Sequence, residues 1–492
     1  MNKLKELFSD SVVYGLSSVV ARFINYLLVP FYTKFFDPAE YGVVGLIYAA
    51  IVFLNVIYTF GMESAYIRYA SDNKWKKEKV FVTLQLALFG VATALGAFLY
   101  FGAGSLIMPL MSLEGSAGQQ LFVMMLAILW LDALSIVPYA HLRIVRKAWL
   151  YAIIKLVNVI INVALNLYLV IGLGWGLEAI LISNIIASGV SLLMLIVVTL
   201  PMYKAAPELA ILKTALVFGL PYVPNGIGFA INEVLDRFFL NQMNPDTILA
   251  IYGTPYTPEE ITGIYNACYK LAIFMLLLVQ MFRLAWQPFF MRYAKDDASP
   301  KLFAQVFFYF NLVSAAVFMG VGIFVEHIVA IPVPFLDGTI IDSRFWSGLS
   351  IVPILLMAYW FQGWFINFSS GIFIREKTIR FPLITFFGAL FTIIGNILLV
   401  PILGMTGSAI ATLACYAAMS ILTLYYANQV FPVKYPLLSV ILMMVFGSLI
   451  VWIGFALPFI VVSEVITRIV LFFIGLAVLL VLWFFAAPDR KN

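Results

Sequence analysis

The segment NLYLVIGLGWGLEAI at residues 166–180 has a counterpart, NILLVPILGMTGSAI, at residues 396–410. Each segment starts with Asn, runs through apolar residues into a glycine-rich turn, and ends in a helix start of small residues. The matching pairs, each 230 residues apart, are Lys147 with Lys377, Asn166 with Asn396 and Gly174 with Gly404. A second match places Gly42 and Tyr48 against Gly263 and Tyr269 at an offset of 221. Similar apolar composition alone would not repeat polar and glycine spacings, so the sequence predicts two copies of one helical unit.

The composition decides what kind of helices these are. Of 492 residues, 64% are hydrophobic and only 11% are charged, against about 25% charged in soluble domains. Apolar runs of 18 or more residues predict membrane spans. They predict an all-α polytopic membrane protein of about 14 spans, at residues 9–31, 41–62, 80–103, 118–140, 149–171, 176–199, 213–237, 262–284, 302–325, 345–370, 380–401, 405–427, 436–457 and 464–486.

The basic residues predict the orientation of these spans. With the N-terminus inside, 22 Lys and Arg residues fall in inner segments and only Lys34, Arg344 and Arg468 in outer ones. Because basic residues near span ends stay on the cytoplasmic side, this asymmetry predicts that both termini are cytoplasmic. The first apolar run has no small-residue cleavage site, so we expect it to be a retained span.

The repeat predicts how the spans are organised. We expect an N-terminal six-helix lobe at 1–203, a C-terminal six-helix lobe at 204–430 and two additional helices at 431–492. Six spans per copy give both copies the same orientation, so the repeat axis should follow the membrane normal, with a central cleft between the lobes. This geometry is typical of alternating-access transport.

Charged and amide side chains lie where the membrane should exclude them. A cation facing lipid at the bilayer centre costs about 2.5–3.5 kcal/mol or more, so the cations within spans should face water, a counter-ion or a ligand. These cations are Arg22, Lys155, Arg237 and Lys270. Steps of three and four residues align Lys155 with Asn158, Asn162 and Asn166, and Lys270 with Asn266, each set on one helix face. The predicted substrate-binding set is therefore Arg22, Asn25, Lys155, Asn158, Asn162, Asn225, Arg237, Asn266 and Lys270.

Three carboxylates accompany these cations. Asp132, Glu233 and Asp236 are candidate counter-ions and candidate ion-coupling groups. The alternative is that cations and carboxylates merely pair and hold helices together. Cations that face a cleft instead would favour an anionic ligand such as a phosphate, because a guanidinium is a fork for its oxygens and an ammonium adds point charge.

Other features limit the chemistry. Pro221 and Pro224 predict a kinked seventh span. His141 and His327 are expected at opposite membrane faces, so no metal site and no cofactor are predicted, and no catalytic or phosphate-loop motif appears. The outer segment at 238–261 is short and lacks Arg and Lys. We therefore expect a transporter, neither an enzyme nor a nucleic-acid binder.

The whole chain resembles the Wzx-type oligosaccharide flippases of the multidrug/oligosaccharidyl-lipid/polysaccharide exporter superfamily. The resembling features are Arg22 in a first span ending YTKFFDPAEYG, the segments GMESAYIRYAS, FGLPYVPN, EVLDRFFL, GIYNACYKLA and AWQPFF, and the turns after Asn166 and Asn396. No single one is specific, but they occur together, in order and on the corresponding spans.

The resemblance implies a fourteen-helix bacterial inner-membrane protein, a monomer associated functionally with a polysaccharide polymerase. It would flip undecaprenyl-pyrophosphate-linked oligosaccharide to the outer leaflet for O-antigen or exopolysaccharide export. It also implies that Arg22 and Arg237, with Lys155 and Lys270, meet the pyrophosphate. The alternatives are a lipid II flippase, a drug/cation antiporter of the same superfamily, or a membrane glycan polymerase or ligase.

Overall fold

The computed structural model describes residues 28–72, 74–294, 296, 298–456 and 462–486. Within them, twelve helices are long and apolar enough to cross a membrane, or thirteen when one bent pair counts as a single span. Every predicted span from the second to the fourteenth coincides with one of these helices or with the bent pair. The all-α, polytopic membrane architecture is thus confirmed, whereas most of the predicted first span, 9–31, lies outside the described residues.

The chain divides into two compact units, residues 1–263 and 264–492. The described helices of the first unit are α1 Val29–Phe35, α2 Pro38–Thr59, α3 Met62–Ser71, α4 Lys77–Phe98, α5 Gly115–Ile144, α6 Ala148–Leu167, α7 Leu177–Thr199, α8 Leu209–Gly219, α9 Tyr222–Asn241 and α10 Pro245–Tyr252. Short π, α and 3-10 pieces extend α4 to Met111, a π segment extends α6 to Gly172, and a 3-10 segment extends α7 to Lys204. Helix α11, Pro258–Tyr269, crosses the boundary at 263.

The second unit holds the remaining helices and a small hairpin. The helices are α12 Ile273–Tyr293, α13 Ser299–Val329, α14 Ile351–Ile374, α15 Arg380–Leu403, α16 Met405–Val430, α17 Leu437–Ala456 and α18 Val462–Ala486. Strands β1 Pro332–Val333 and β2 Gly338–Thr339 pair antiparallel between α13 and α14. The first unit includes α9, which packs on α2. The division into six-helix lobes stays a prediction.

The two quoted segments adopt the same local structure in their respective units. Asn166 and Asn396 are both fully buried, and each donates its amide N–H to the carbonyl oxygen four residues earlier at 2.8 Å. Gly174 and Gly404 both have positive φ, 67° and 56°, a conformation that glycine adopts without a Cβ clash. In the connections that precede α6 and α15, Arg146 and Glu376, also 230 residues apart, both have positive φ. The sequence repeat is therefore also a backbone repeat.

The predicted kink lies in the seventh span. Helices α8 and α9 meet at 45° across the break at Leu220 and Pro221. Since proline at position 221 supplies no backbone N–H, the helical ladder is interrupted where the sequence predicts it.

Candidate functional site: a polar cavity in the first unit

Four helices of the first unit line a partly open polar cavity of about 260 Å³. Nine of its ten lining residues are polar, although every helix involved is predominantly apolar. The lining is Asn55 from α2, Asp132, Ser135, Ile136 and Tyr139 from α5, Lys155 and Asn158 from α6, and Asn184, Ser188 and Ser191 from α7. A polar space inside a membrane helix bundle holds water or a ligand, because its lining would otherwise lack hydrogen-bond partners.

Helix periodicity explains why these side chains converge. Lys155 and Asn158 are three residues apart on α6, and Asn184, Ser188 and Ser191 follow at steps of four and three on α7. Each set therefore lies on one face of its helix. Because α7 packs against both α5 and α6, the polar faces meet between them.

Asp132 is held by a hydrogen-bonded chain that crosses the unit. The Ser188 hydroxyl contacts the Asp132 carboxylate at 3.0 Å and the Asn184 carbonyl oxygen at 3.3 Å. Asn184 in turn donates its N–H to the Tyr48 hydroxyl on α2 at 3.0 Å. Among the described residues, Asp132 forms no ion pair at 4 Å or less. The predicted carboxylate is thus oriented by a hydroxyl.

Lys155 lines the same cavity. Its ammonium lies 4.3 Å from the ring centroid of Tyr139, a cation–π contact that stabilises a cation away from bulk water. One turn along α6, Asn158 donates to the Ser191 hydroxyl at 3.0 Å. Sequence reasoning predicted Lys155 and Asn158 for this face, and the structure brings both together with Asp132.

The other amides of the α6 stripe do not line the cavity. Asn166 donates to the Asn162 side chain at 3.2 Å and accepts a hydrogen bond from the Tyr32 hydroxyl at 3.1 Å. This end of the stripe joins α6 to α1.

Asn55 is the cavity residue whose bonding is incomplete. Its side-chain carbonyl oxygen is buried and has no hydrogen-bond partner in the structure. A buried acceptor left in this way is destabilising by about 1–3 kcal/mol.

Arg237 occupies a different environment on α9. Its guanidinium forms an ion pair with Asp236 at 2.6 Å, and both side chains are less than a tenth exposed. It also donates to the backbone carbonyl of Glu233. Of the two predicted counter-ions, Asp236 supplies the carboxylate contact and Glu233 a backbone contact.

The remaining predicted residues are distributed between the units. Asn225, on α9, is partly exposed, and its carbonyl oxygen is a second buried acceptor without a partner. Asn266 is buried near the end of α11, and Lys270 begins the 3-10 turn Lys270–Ala272, so the expected continuous helical face changes pitch between them. Arg22 and Asn25 lie outside the described residues.

Several cavity residues were not predicted. Asn55, Ser135, Tyr139, Asn184, Ser188 and Ser191 all line it. The spacing of Asn184, Ser188 and Ser191 is the same signal that identified the α6 stripe and could have found them. Asn55 is isolated in an apolar span and has no such pattern.

The comparisons with known proteins agree with this architecture. A model of the family described as "Polysaccharide biosynthesis protein" matches residues 7–294, more than half of the chain. The chain belongs to the polysaccharide biosynthesis protein family. A search of curated proteins found no match.

The similarity of this chain to solved structures covers almost its whole length. A lipid II flippase, MurJ, in an inward closed conformation has a TM-score of 0.73 at 14% identity, covering 96% of this chain and 99% of that one. A multidrug resistance MATE transporter of the MOP superfamily, in its inward-facing conformation, has a TM-score of 0.61 at 16% identity, with coverages of 85% and 94%. A multidrug resistance MATE transporter of the MOP superfamily in an outward-facing conformation has a TM-score of 0.56 at 15% identity, with coverages of 86% and 95%. At these identities the similarity concerns the fold.

Proposed function

We propose that the protein flips undecaprenyl-pyrophosphate-linked oligosaccharide from the cytoplasmic to the outer leaflet of the bacterial inner membrane by alternating access, for surface polysaccharide export. The observation that carries this proposal is the family match over residues 7–294 on a flippase-like membrane fold. The flippase would act as a monomer alongside a polysaccharide polymerase.

The polar cavity supports a cargo with a polar head. A purely apolar cargo would gain nothing from a lining that carries Asp132, Lys155 and amides, since desolvating those groups without partners is unfavourable. A glycan head offers hydroxyls to the amides, and a pyrophosphate offers charge to a cation.

The cations are assigned to the pyrophosphate on the strength of their residue types and positions. Arg22 is the primary contact, and Lys155 and Lys270 add positive charge. Arg237 would have to exchange its Asp236 partner for phosphate oxygens. Asp132, Glu233 and Asp236 are the proposed coupling groups, because a carboxylate beside a cation can take up a proton when cargo displaces that cation.

Flipping can be measured directly. Purified protein in vesicles should transfer a fluorescent undecaprenyl-pyrophosphate-linked oligosaccharide to the leaflet where an impermeant lectin can bind it. Collapsing both the pH and the electrical gradient should slow the transfer. Transfer of lipid II but not of this glycolipid would favour the lipid II alternative, and export of a cationic dye alone would favour an antiporter. Elongation of the glycan by the protein alone would indicate a polymerase.

The proposed orientation has a separate test. Reporter fusions after Lys77, Lys147 and Lys295 should score cytoplasmic and one after Asp246 external, as the basic residues predict. A cytoplasmic score at Asp246 would contradict the fourteen-span arrangement.

A further inference from the structure

A serine in the polar cavity has one proton and two competing acceptors. The Ser188 hydroxyl lies 3.0 Å from the Asp132 carboxylate and 3.3 Å from the Asn184 side-chain carbonyl oxygen. A hydroxyl donates one hydrogen bond, whereas an ionised carboxylate only accepts. An ionised Asp132 therefore takes the Ser188 proton, because a charged acceptor forms the stronger hydrogen bond. The Asn184 carbonyl oxygen is then left without that donor.

A proton on Asp132 reverses this arrangement. The cavity is partly open, so its water can supply a proton that forms an O–H bond on the carboxyl group. A neutral carboxyl group donates that O–H, here to the Ser188 oxygen. Ser188 then turns its own proton to Asn184, and the hydrogen bonds run in one direction from α5 to α7.

The hydrogen-bonded chain ends on α2. Asn184 donates its N–H to the Tyr48 hydroxyl at 3.0 Å, and hydrogen bonds that follow one another in a chain strengthen each other. Helix α2 packs on α9, the second half of the kinked span. Its start also contacts the start of α11 at Gly42 and Gly263. A change at Asp132 therefore reaches the helix that makes both contacts.

The second copy of the repeat has a neutral alternative at the same positions. At the offset of 230, the counterparts of Asp132, Asn184 and Ser188 are Gln362, Ala414 and Ala418. Asp132 and Gln362 also occupy the same place in their helices, which end at Ile144 and Ile374. Helix packing thus accepts a neutral side chain at this position, and a carboxylate within a membrane span is costly. Its presence in the first copy indicates a use for the charge.

The groups around Asp132 determine when it binds a proton. Three ionisable groups among the described residues interact electrostatically with it: Lys155 from α6, Tyr48 from α2 and Tyr139 from α5 itself. Helix α7 contributes the neutral Ser188. Lys155 is the cation in this set and favours the ionised carboxylate. An anionic cargo that draws Lys155 away would therefore favour the protonated form.

We propose that Ser188 is a proton-operated switch between Asp132 and α2, with Asn184 and Tyr48 as positioning residues. With Asp132 ionised, the chain is interrupted between Ser188 and Asn184. With Asp132 protonated, the chain is complete and holds α2 to α7. The inference rests on the proposed function and deepens it, because it selects one of the three coupling groups and names the residues that transmit its proton.

The first test measures flipping by the full-length protein in vesicles, with and without an imposed pH gradient. The cargo is the fluorescent undecaprenyl-pyrophosphate-linked oligosaccharide, and acid on the outer side should accelerate the wild type several-fold. Asp132→Asn carries an amide that always has an N–H for Ser188, so its rate should be the same with and without the gradient. Ser188→Ala keeps the carboxylate but interrupts the chain, so it should lose the acceleration as well.

Ser183→Ala is the matched control for this test. Ser183 is buried on α7, donates to the Ala179 carbonyl oxygen and lies outside the cavity lining. This variant should retain the wild-type acceleration. Retention of the acceleration by Ser188→Ala would overturn the switch, and so would a wild type that flips the cargo at a rate no pH gradient changes.

The second test needs no cargo. It compares thermal unfolding in detergent for Asp132→Asn, Tyr48→Phe and their combination. Because the two residues are joined through Ser188 and Asn184, the shifts in the unfolding midpoint should depart from additivity by about 2 °C. The same comparison in a Ser188→Ala background should be additive. Additive shifts in both backgrounds, or the same departure in both, would overturn the switch.

Together the two tests separate this inference from the proposed function. A wild type that flips no glycolipid under any gradient, but whose departure from additivity depends on Ser188, would contradict the proposed function and leave the hydrogen-bonded switch in place. A wild type that flips glycolipid but shows additive shifts would support the proposed function and overturn the switch.

Discussion

Gly42 and Gly263, the glycines that begin the matching segments of the second and eighth spans, contact each other backbone to backbone. A Cβ on Gly42 would lie 2.0 Å from the Glu259 carbonyl oxygen, and one on Gly263 would lie 1.8 Å from the Pro38 carbonyl oxygen. Both distances are far below van der Waals contact. Only glycine at both positions allows the start of α2 and the start of α11 to approach this closely.

Replacing either glycine should therefore separate the two helices. We expect Gly42→Ala and Gly263→Ala each to destabilise the protein by at least about 1–3 kcal/mol, because the clash is with rigid backbone. The thermal unfolding midpoint in detergent measures this. Gly90→Ala is the control, since a Cβ at Gly90 meets nothing within 4 Å and alanine is the better helix former. Equal midpoints for all three variants would contradict the close approach.

The buried pair of Arg237 and Asp236 gives a second prediction. Arg237→Ala leaves the Asp236 carboxylate buried without its guanidinium, which should destabilise the protein by about 3–5 kcal/mol. The double variant Asp236→Asn with Arg237→Gln removes both charges and should recover much of this loss. Thermal unfolding separates the two variants.

Transport by the double variant tests the role of the pair. A stable double variant that no longer flips glycolipid would support a phosphate contact by Arg237. Full transport by that variant would make the pair purely structural.

The sequence predicts the membrane architecture well because it depends on apolar length and charge placement, both of which are local. It also predicts the α6 face, because helical spacing alone places Lys155 beside Asn158. It cannot predict which end of the stripe opens into a cavity. That depends on the packing of α5 and α7, which brings Asp132 and Ser188 into the same cavity as Lys155, and on the contact with α1, where Tyr32 bonds to Asn166.

Tertiary contacts also change the interpretation of Arg468, which the pattern of basic residues places in an outer segment. Arg468 is almost completely buried on α18, where it pairs with Glu326 at 2.6 Å and donates to the Ile323 carbonyl oxygen. The count of basic residues near span ends assigns such a residue to an outer segment. Only the packing of α18 on α13 shows that it anchors α18 to α13.

Asp132 and Lys155 should be energetically coupled through the cavity. Asp132→Asn leaves the ammonium without that carboxylate, and Lys155→Met leaves the carboxylate without that cation, so each single variant should lose stability and flipping rate. The double variant removes both charges, and its loss of stability should be smaller than the sum of the two single losses by about 0.5–3 kcal/mol. Additive effects on the unfolding midpoint would show that the two groups act independently.

Arg22 is the remaining cation, and its role rests on the sequence. It is the one cation in the predicted first span, whose other residues from Ser11 to Phe31 are apolar or carry short or aromatic polar side chains. In the proposed cargo, the pyrophosphate is the charged group common to all glycans. A guanidinium can hold two phosphate oxygens at once, whereas an ammonium keeps the charge and loses that geometry. We therefore expect Arg22→Ala to insert normally but to abolish surface glycan in a flippase-null strain, and Arg22→Lys to retain partial function. Immunoblotting of membranes controls for protein level. Wild-type glycan from Arg22→Ala at a normal level would instead assign Arg22 a structural role within the N-terminal lobe.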